Sequence, residues 1–564
     1  MNRRWLVNRT NPEFLRYLSN KASISTTFAQ ILVNRGIKDP DAIKEFLNPS
    51  FDNLHDPMLL PDIKKAIERV KAAMSKGETV LIHGDYDADG LTSTALLVSA
   101  FRKLGIKAFY HIPNRETEGY GFGNTGVEKA KACGASLIIT ADCGISSIEA
   151  VASANASGID VIITDHHEVP EKMPEAIAVI DPHRKDSQYP FKFLAGVGVA
   201  YKFVQALLED IGTYKTDILP EHFLDLVALG TVADSVPLIG ENRIFVAYGL
   251  KEINKPLCRI GIQAMKDAFR ADTELHSVML SFTLIPRINA AGRLSDAGAV
   301  VELLLTDDRS KADETVALLE EHNKKRQKIE KDVLESALAM IDPDKPGNAI
   351  VLASPDWHPG VIGIVASRLV DRFYRPVLLF AVKGSIAKGS ARSIPPFNLY
   401  NGISECADHL IDFGGHEQAA GIKMDLANLP LFKEKINQVV GRTLSDEDMI
   451  PMLEIDAGVE LSEINFNLLR ELSLLEPLGA TNSEPVLGAK GVEFIDPRIV
   501  GNNHLKVRTK QKKIYMDTIG FNKGGLIKDI EASSVFDSAF TPSINEWNGT
   551  KILQLKLKAL RPGG

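Results

Sequence analysis

Four cysteines, Cys133, Cys143, Cys258 and Cys406, occur in 564 residues. They are scattered without Cys-x-x-Cys spacing, which excludes a structural zinc ribbon or a disulfide framework and suits a reducing compartment. No apolar run reaches the roughly 20 residues that cross a bilayer. The N-terminus, Met1-Asn2-Arg3-Arg4-Trp5, lacks the apolar stretch of a secretory signal. A cytoplasmic protein without a membrane anchor is expected. A basic excess is missing too. The net charge is −8, so any grip on nucleic acid must come from local patches, and an acidic metal site would mask part of their bias. Internal repeats and low-complexity tracts are also absent. What remains is ordinary globular composition, 45% hydrophobic and 24% charged. The length exceeds a single core and implies three or four domains.

The most informative stretch is Val80-Leu81-Ile82-His83-Gly84-Asp85-Tyr86-Asp87-Ala88-Asp89-Gly90. Its apolar opening reads as a buried parallel strand, and a helical pattern follows. The residues between lie at the strand's carboxyl end, where open α/β sheets place ligands. Three alternating aspartates in a tight turn repel one another unless a cation neutralises them. A single Asp there would be read as a helix N-cap. His-x-x-x-Asp-x-Asp closing an apolar strand reads instead as a metal site.

The same ending recurs. Leu137-Ile138-Ile139-Thr140 runs into Asp142, and Val161-Ile162-Ile163-Thr164 runs into Asp165-His166-His167. A helical segment, Leu226 to Ala233, reaches Asp234. Parallel strands of common winding bring their ends to one edge, so His83, Asp87, Asp89, Asp142, His166 and Asp234 can converge. Four carboxylates and two imidazoles without thiolate suit Mn²⁺ or Mg²⁺. Six ligands suit two ions, and a pair about 3.5–4 Å apart is the usual apparatus of phosphoryl hydrolysis.

The chain divides, on pattern, into an N-terminal extension (1–61) packed on the main body and an α/β domain with a parallel sheet (62–307). A long connecting helix (308–345), a smaller α/β domain (346–450) and a C-terminal all-β module (451–564), best matched by an OB-type barrel, complete it.

The motifs HGDYDADG, TADCG, TDHH and VADSVP resemble the four motifs of the DHH phosphoesterase superfamily. That resemblance implies His83, Asp87 and Asp142 around one ion, and Asp89, Asp142, His166 and Asp234 around the other, with Asp142 bridging. It makes Asp85 and Asp165 supports of the shell and brings His167 to the scissile phosphate or leaving group. Further along, Pro286-Arg287-Ile288-Asn289-Ala290-Ala291-Gly292-Arg293-Leu294 and the C-terminal Asn545 to Gly549 resemble the bacterial RecJ exonucleases, and the Trp357 to Arg368 segment and Phe413 to Gly421 resemble the DHH-associated domain that closes over the site. One departure is Gly479-Ala480-Thr481-Asn482-Ser483 after Glu476-Pro477-Leu478, where that family usually reads Gly-x-Gly-Asn-Pro. It is expected to touch linker geometry rather than activity.

The resemblance implies a single-strand-specific 5′→3′ exonuclease releasing 5′-mononucleotides in DNA recombination and repair. It implies a channel between the two α/β domains, and a single-stranded-DNA-binding protein and a helicase as partners; a monomer is expected. Arginine seats a terminal phosphate bidentately. Arg287 and Arg293 flank a small-residue turn containing Asn289. Ser390 and Arg392 share one segment, and Arg115 and Tyr120 bracket a Gly-rich loop. By resemblance these residues hold the 5′ end and stack the leading bases, while Gly414, Gly415 and His416 approach the phosphates. The densest basic run, His504 to Lys513, reads as a phosphate-tracking groove or a solvated hairpin, with Tyr515, Phe521 and Trp547 as stacking or core aromatics. Two rival functions remain at this point: a phosphoesterase for pyrophosphate, short oligonucleotides or cyclic dinucleotides, and a non-catalytic DNA-binding scaffold.

Overall fold

The computed structural model describes residues 3–115, 117–212, 218–269, 274–294, 296–547 and 549–563. The chain forms two compact units. The larger comprises Trp5–Ile288, Ala297–Val316 and Glu454–Gly564; the smaller is chiefly Asn289–Asp296 and Ala317–Leu453.

In the larger unit, five parallel strands stand in the order Lys107–His111, Thr79–Gly84, Ala135–Ala141, Asp160–Thr164, Ala178–Ile180. The apolar runs read as strands from the sequence are these; the inner strands are buried on both faces, as a parallel sheet requires, and the edge strand Lys107–His111 is partly exposed. The order carries a consequence. The chain steps from Thr79–Gly84 outward to Lys107–His111, then crosses back to Ala135–Ala141 on the other side. That reversal opens a crevice beyond the carboxyl ends of Thr79–Gly84 and Ala135–Ala141. His83 pairs with Thr140, and Gly84 with Ala141, so the two acidic turns leave the sheet at the same level.

Helices Ala88–Lys103 and Gly196–Ile211 pack on this sheet and on each other, and Leu224–Asp234 packs on both of them. Asp87 caps the first through bonds from the backbone N–H groups of Asp89 and Gly90, both 3.0 Å. The segment Gly196–Ile211 was not read as a helix from the sequence, nor were Gly240–Ile253 and Ile260–Ala268. The first two bury polar side chains, Lys202, Glu241, Asn242 and Arg243 among them, so polar residues along the chain do not mark one solvent face.

The C-terminal part of this unit is a barrel. Leu487–Val500, His504–Gln511, Ile514–Gly520, Thr550–Pro562 and Phe536–Trp547 pair in that order, and Phe536–Trp547 pairs again with Leu487–Val500 to close it. The OB-type expectation holds. The N-terminal extension packs here: Leu18, Phe28, Ile31, Leu32 and Ile43 share one core with Leu487, Val507, Phe536 and Leu555. Its helices are Pro12–Ala22, Thr26–Asn34 and Pro40–Leu47. The linker that departs from the family pattern is pinned by Arg243. Its guanidinium lies over the Phe46 ring and donates to the carbonyls of Phe46, Leu474, Leu475, Glu476 and Pro477. Asn482, retained in the divergent loop, adds bonds to the Leu475 and Pro477 carbonyls at 2.7 and 2.8 Å.

The smaller unit holds a five-stranded sheet in the order Asp412–Gly415, Ala419–Asp425, Ile386–Arg392, Val377–Lys383, Ile350–Ser354, parallel only at the last pair. The helix Ile362–Phe373 covers one face with Val333 and Ala337 of the 31-residue helix Arg309–Ala339. Helix Leu429–Thr443 lies on the other face.

Candidate active site

The expected small-residue turn between Arg287 and Arg293 is instead a helix, Leu284–Leu294. Pro286 is tolerated in its first turn, where amides have no intrahelical acceptor. Gly292 lies near its end, where it interrupts little.

The acidic turns do gather at the sheet edge. Asp142, in the left-handed region at φ 64°, follows Ala135–Ala141. Its backbone N–H donates to the Thr164 carbonyl at 3.0 Å, tying two strand ends together. His166 Nε2 lies 3.1 Å from Asp142 Oδ1, 3.6 Å from Asp234 Oδ2 and 4.0 Å from Asp89 Oδ2. Two overlapping groups result, Asp142–His166–His167 and Asp89–His166–Asp234, each with ligand atoms within 4.8 Å of one another. Asp234 arrives at the last residue of Leu224–Asp234.

Burial raises the proton affinity of the carboxyl groups, and neighbouring carboxylates add to it. Asp89 is pushed up to about 7 and Asp234 to about 8, while Asp85 and Asp142 stand well above the usual carboxylate range. Burial lowers His166 to about 3, so the ring is neutral. The ring presents Nε2 to the three carboxylates. Among the described residues, neither His166 Nε2 nor Asp142 Oδ1 has a hydrogen-bond partner. A neutral imidazole facing carboxylates that crowd one another is the donor set of a divalent cation. The residues fit the ions expected from the sequence.

His83 and Asp87 stand beside these groups rather than in them. His83 is buried against the rings of His111 and Phe122. Its Nε2 lies 3.3 Å from the Gly121 carbonyl, and burial lowers it to about 4. Asp87 spends Oδ1 on the helix cap. Asp85 is buried, and among the described residues its Oδ1 has no hydrogen-bond partner.

Asp165 supports rather than faces the cluster. Its Oδ2 accepts from the Ile145 N–H, and its Oδ1 from the N–H groups of His166 and His167 and from the His167 ring. Despite the cost of burial, this carboxylate raises His167 to about 9. The Tyr120 hydroxyl lies 3.1 Å from His167 Nε2. Arg115 lies over Tyr86, itself beside Tyr120. Arg287 stacks on Phe269 and donates to the Thr283 carbonyl.

Within the smaller unit, Arg392 donates to Ser390 Oγ at 3.1 Å. Arg293 donates to the Gly360 carbonyl on the same unit, and Asn289 stands on the same helix as Arg293. Gly414 and Gly415 end an exposed edge strand, and the His416 N–H donates to Ala419. On the barrel, Lys506, Arg508 and Lys510 alternate with buried Leu505, Val507 and Thr509. Arg508 and Lys510 are ion-paired with Asp496 and Glu493. Tyr515 and Phe521 are exposed rather than core. The Trp547 side chain and Asn548 lie outside the described residues.

Sequence reasoning passed over the segment Leu194-Ala195-Gly196-Val197. Both Asp89 oxygens accept backbone N–H groups from it, Gly196 to Oδ2 at 2.7 Å and Val197 to Oδ1 at 2.9 Å. The available signal was a glycine pair, Gly196 and Gly198, opening an apolar run.

Comparison with known proteins accounts for nearly the whole chain. Residues 79–231 match the DHH family N-terminal domain, 347–442 the DHHA1 domain and 455–559 the RecJ OB domain. The single-stranded-DNA-specific exonuclease RecJ of Bacillus subtilis is 38% identical over 98% of this chain and 70% of its own length. The chain belongs to the RecJ family. The Escherichia coli RecJ is 34% identical over 96% of both chains. Crystal structures of Thermus thermophilus RecJ with Mn²⁺ and with Mg²⁺ align over 100% of this chain and 80% and 79% of theirs. Their TM-scores are 0.86 and 0.81, at 31% identity. The RecJ relatives thus carry, in crystals, the two ions that the donor set favours.

Proposed function

We propose that this chain is a metal-dependent exonuclease that degrades single-stranded DNA from the 5′ end to 5′-mononucleotides. One observation carries the reading: in a chain alike to RecJ from end to end, His166 Nε2, unpaired among the described residues, meets the buried carboxylates of Asp89 and Asp142 and the half-buried one of Asp234. His83, Asp87 and Asp142 are assigned to one Mn²⁺ or Mg²⁺, and Asp89, Asp142, His166 and Asp234 to a second. Bound there, such a pair lowers the pKa of water and offsets charge on the attacking and leaving oxygens.

The chain's own groups do the rest. Asp165 holds His167 protonated, so His167 can donate to a phosphate oxygen or to the leaving oxygen. Asp85 supports the ligand turn. Arg115, Arg287, Asn289, Arg293, Ser390 and Arg392 are assigned to the terminal phosphate and backbone, Tyr120 to base stacking, and Gly414, Gly415 and His416 to phosphate approach. The working domain limits remain 1–61, 62–307, 308–345, 346–450 and 451–564. A role in recombination and repair, as a monomer working with a helicase and a single-stranded-DNA-binding protein, belongs to the same proposal. So does a cytoplasmic location; among the described residues no helix is long and apolar enough to cross a membrane.

The test compares 5′- and 3′-labelled single strands, matched duplex and a dinucleotide, with Mn²⁺ or Mg²⁺, for the wild type and Asp142→Asn. Immediate release of the 5′ label as mononucleotide, with intact duplex and an inert variant, is expected. Hydrolysis confined to the dinucleotide would replace the reading with a small-substrate phosphoesterase. Binding of single strands without cleavage would make the chain a scaffold.

A further inference from the structure

We propose that Gly196 and Val197, with Gly230 opposite them, are positioning residues that fix the Asp89 carboxylate and set its distance from Asp142. The inference rests on the reading of Asp89, Asp142 and His166 as metal ligands.

Asp89 is 1% exposed. A carboxylate on the first turn of a helix has several rotamers, and a ligand free to choose among them forfeits affinity each time an ion binds. Here that freedom is gone. The N–H groups of Gly196 and Val197 point out of the first turn of Gly196–Ile211, where no intrahelical acceptor exists for them. Each takes one Asp89 oxygen, at 2.7 and 2.9 Å. Every oxygen keeps one lone-pair direction, and the plane of the carboxylate is set by two backbone atoms rather than by a side chain.

The glycines explain why backbone can come so close. A Cβ built on Gly196 would lie 2.3 Å from Asp142 Oδ1 and 2.6 Å from its Cβ. Gly196 therefore touches two ligand residues at once, Asp89 through its N–H and Asp142 through its bare Cα. On the other side, a Cβ on Gly230 would lie 2.7 Å from Asp89 Oδ1, 2.4 Å from Thr92 Oγ1 and 2.8 Å from Val197 Cγ1. Gly230 sits inside the helix Leu224–Asp234, where alanine is intrinsically the better residue. A glycine in that place marks a close approach rather than a need for flexibility. One helix end thus touches both Asp89 and Asp142, so a shift of it moves two ligands together.

The experiment is a calorimetric titration of the metal-free, full-length protein with Mn²⁺, beside metal-free thermal unfolding and steady-state hydrolysis of single-stranded DNA. The chains compared are the wild type, Gly196→Ala, Gly230→Ala, Val197→Pro and Asp142→Asn. Proline in the first helical turn removes the Val197 N–H at a position that has no intrahelical acceptor to lose. Each positioning variant should bind Mn²⁺ about ten-fold or more weakly. kcat should fall while KM for DNA holds, and metal-free unfolding should drop by no more than a few degrees, the cost of easing a Cβ past its buried neighbours. Wild-type Mn²⁺ affinity and kcat in Gly196→Ala and Val197→Pro would overturn the inference while leaving the metal centre intact. A metal-free Gly196→Ala that melts far below the wild type would assign Gly196 to packing alone and overturn its part; Val197→Pro then decides the amide part by itself. If the wild type and Asp142→Asn take up Mn²⁺ equally, the ligand reading itself falls.

Discussion

His167 Nδ1 lies 2.7 Å from Asp165 Oδ1, and the same oxygen accepts the backbone N–H groups of His166 and His167. One carboxylate thus sets the charge and orientation of the second histidine of the triplet and shapes the turn that presents the first. Asp165→Asn keeps the size and removes the charge. Its kcat on single-stranded DNA should drop by about 10²-fold or more, the usual weight of a positioned proton donor. KM should change much less. Steady-state kinetics at saturating Mn²⁺ check this, and an unchanged kcat would remove His167 from proton transfer.

Asp142 should behave oppositely for stability and for activity. Its carboxyl is raised by burial and by Asp89, Asp87 and Asp234, so near neutral pH the ionised form opposes folding of the metal-free protein. Asp142→Asn removes that charge and keeps a residue at ease with positive φ. Metal-free melting should stay level or rise, the increase caused by added Mn²⁺ should shrink, and hydrolysis should be lost. Scanning calorimetry with and without chelator measures all but the last.

Arg243 is a structural counterpart with no part in the chemistry. Its guanidinium satisfies carbonyls of Phe46, Leu474, Leu475, Glu476 and Pro477, and burial lowers it to about 10. Arg243→Met would orphan those carbonyls in the interior. A loss of at least about 3 kcal/mol is expected, since each buried unsatisfied group costs about 1–3 kcal/mol. Urea unfolding would show it as a lower midpoint.

Asp62 supplies a pH dependence away from the metal centre. Burial opposes its charge, but bonds from Lys65, Arg184 and the Val179 N–H prevail and hold its carboxyl below the ordinary value. A depressed carboxyl contributes stability above its unfolded pKa and loses it as pH falls through the folded value. Melting temperature should therefore decline below about pH 4, and Asp62→Asn should be less stable at neutral pH with a shallower acid decline. Parallel acid slopes would refute this.

From the sequence alone, the strand runs and the acidic turns that end them were legible, and so was the convergence of Asp89, Asp142, His166 and Asp234, whereas His83 and Asp87 lie beside that group. An apolar run closing in His83-Gly84-Asp85 or Thr140-Ala141-Asp142 states local chemistry directly, because strand burial and carboxylate repulsion act on neighbours in the chain. The long charged helix was legible for the same reason. Three things needed the tertiary structure. The helix Gly196–Ile211 buries Lys202 among its apolar residues, so its polar positions announced no clean solvent face. The segment with Arg287 and Arg293 looked like a turn because its small residues suit both states, and packing chose helix. The bonds from Gly196 and Val197 to Asp89 span more than a hundred residues, and an amide spared by a helix end is offered only once that helix meets the carboxylate in space.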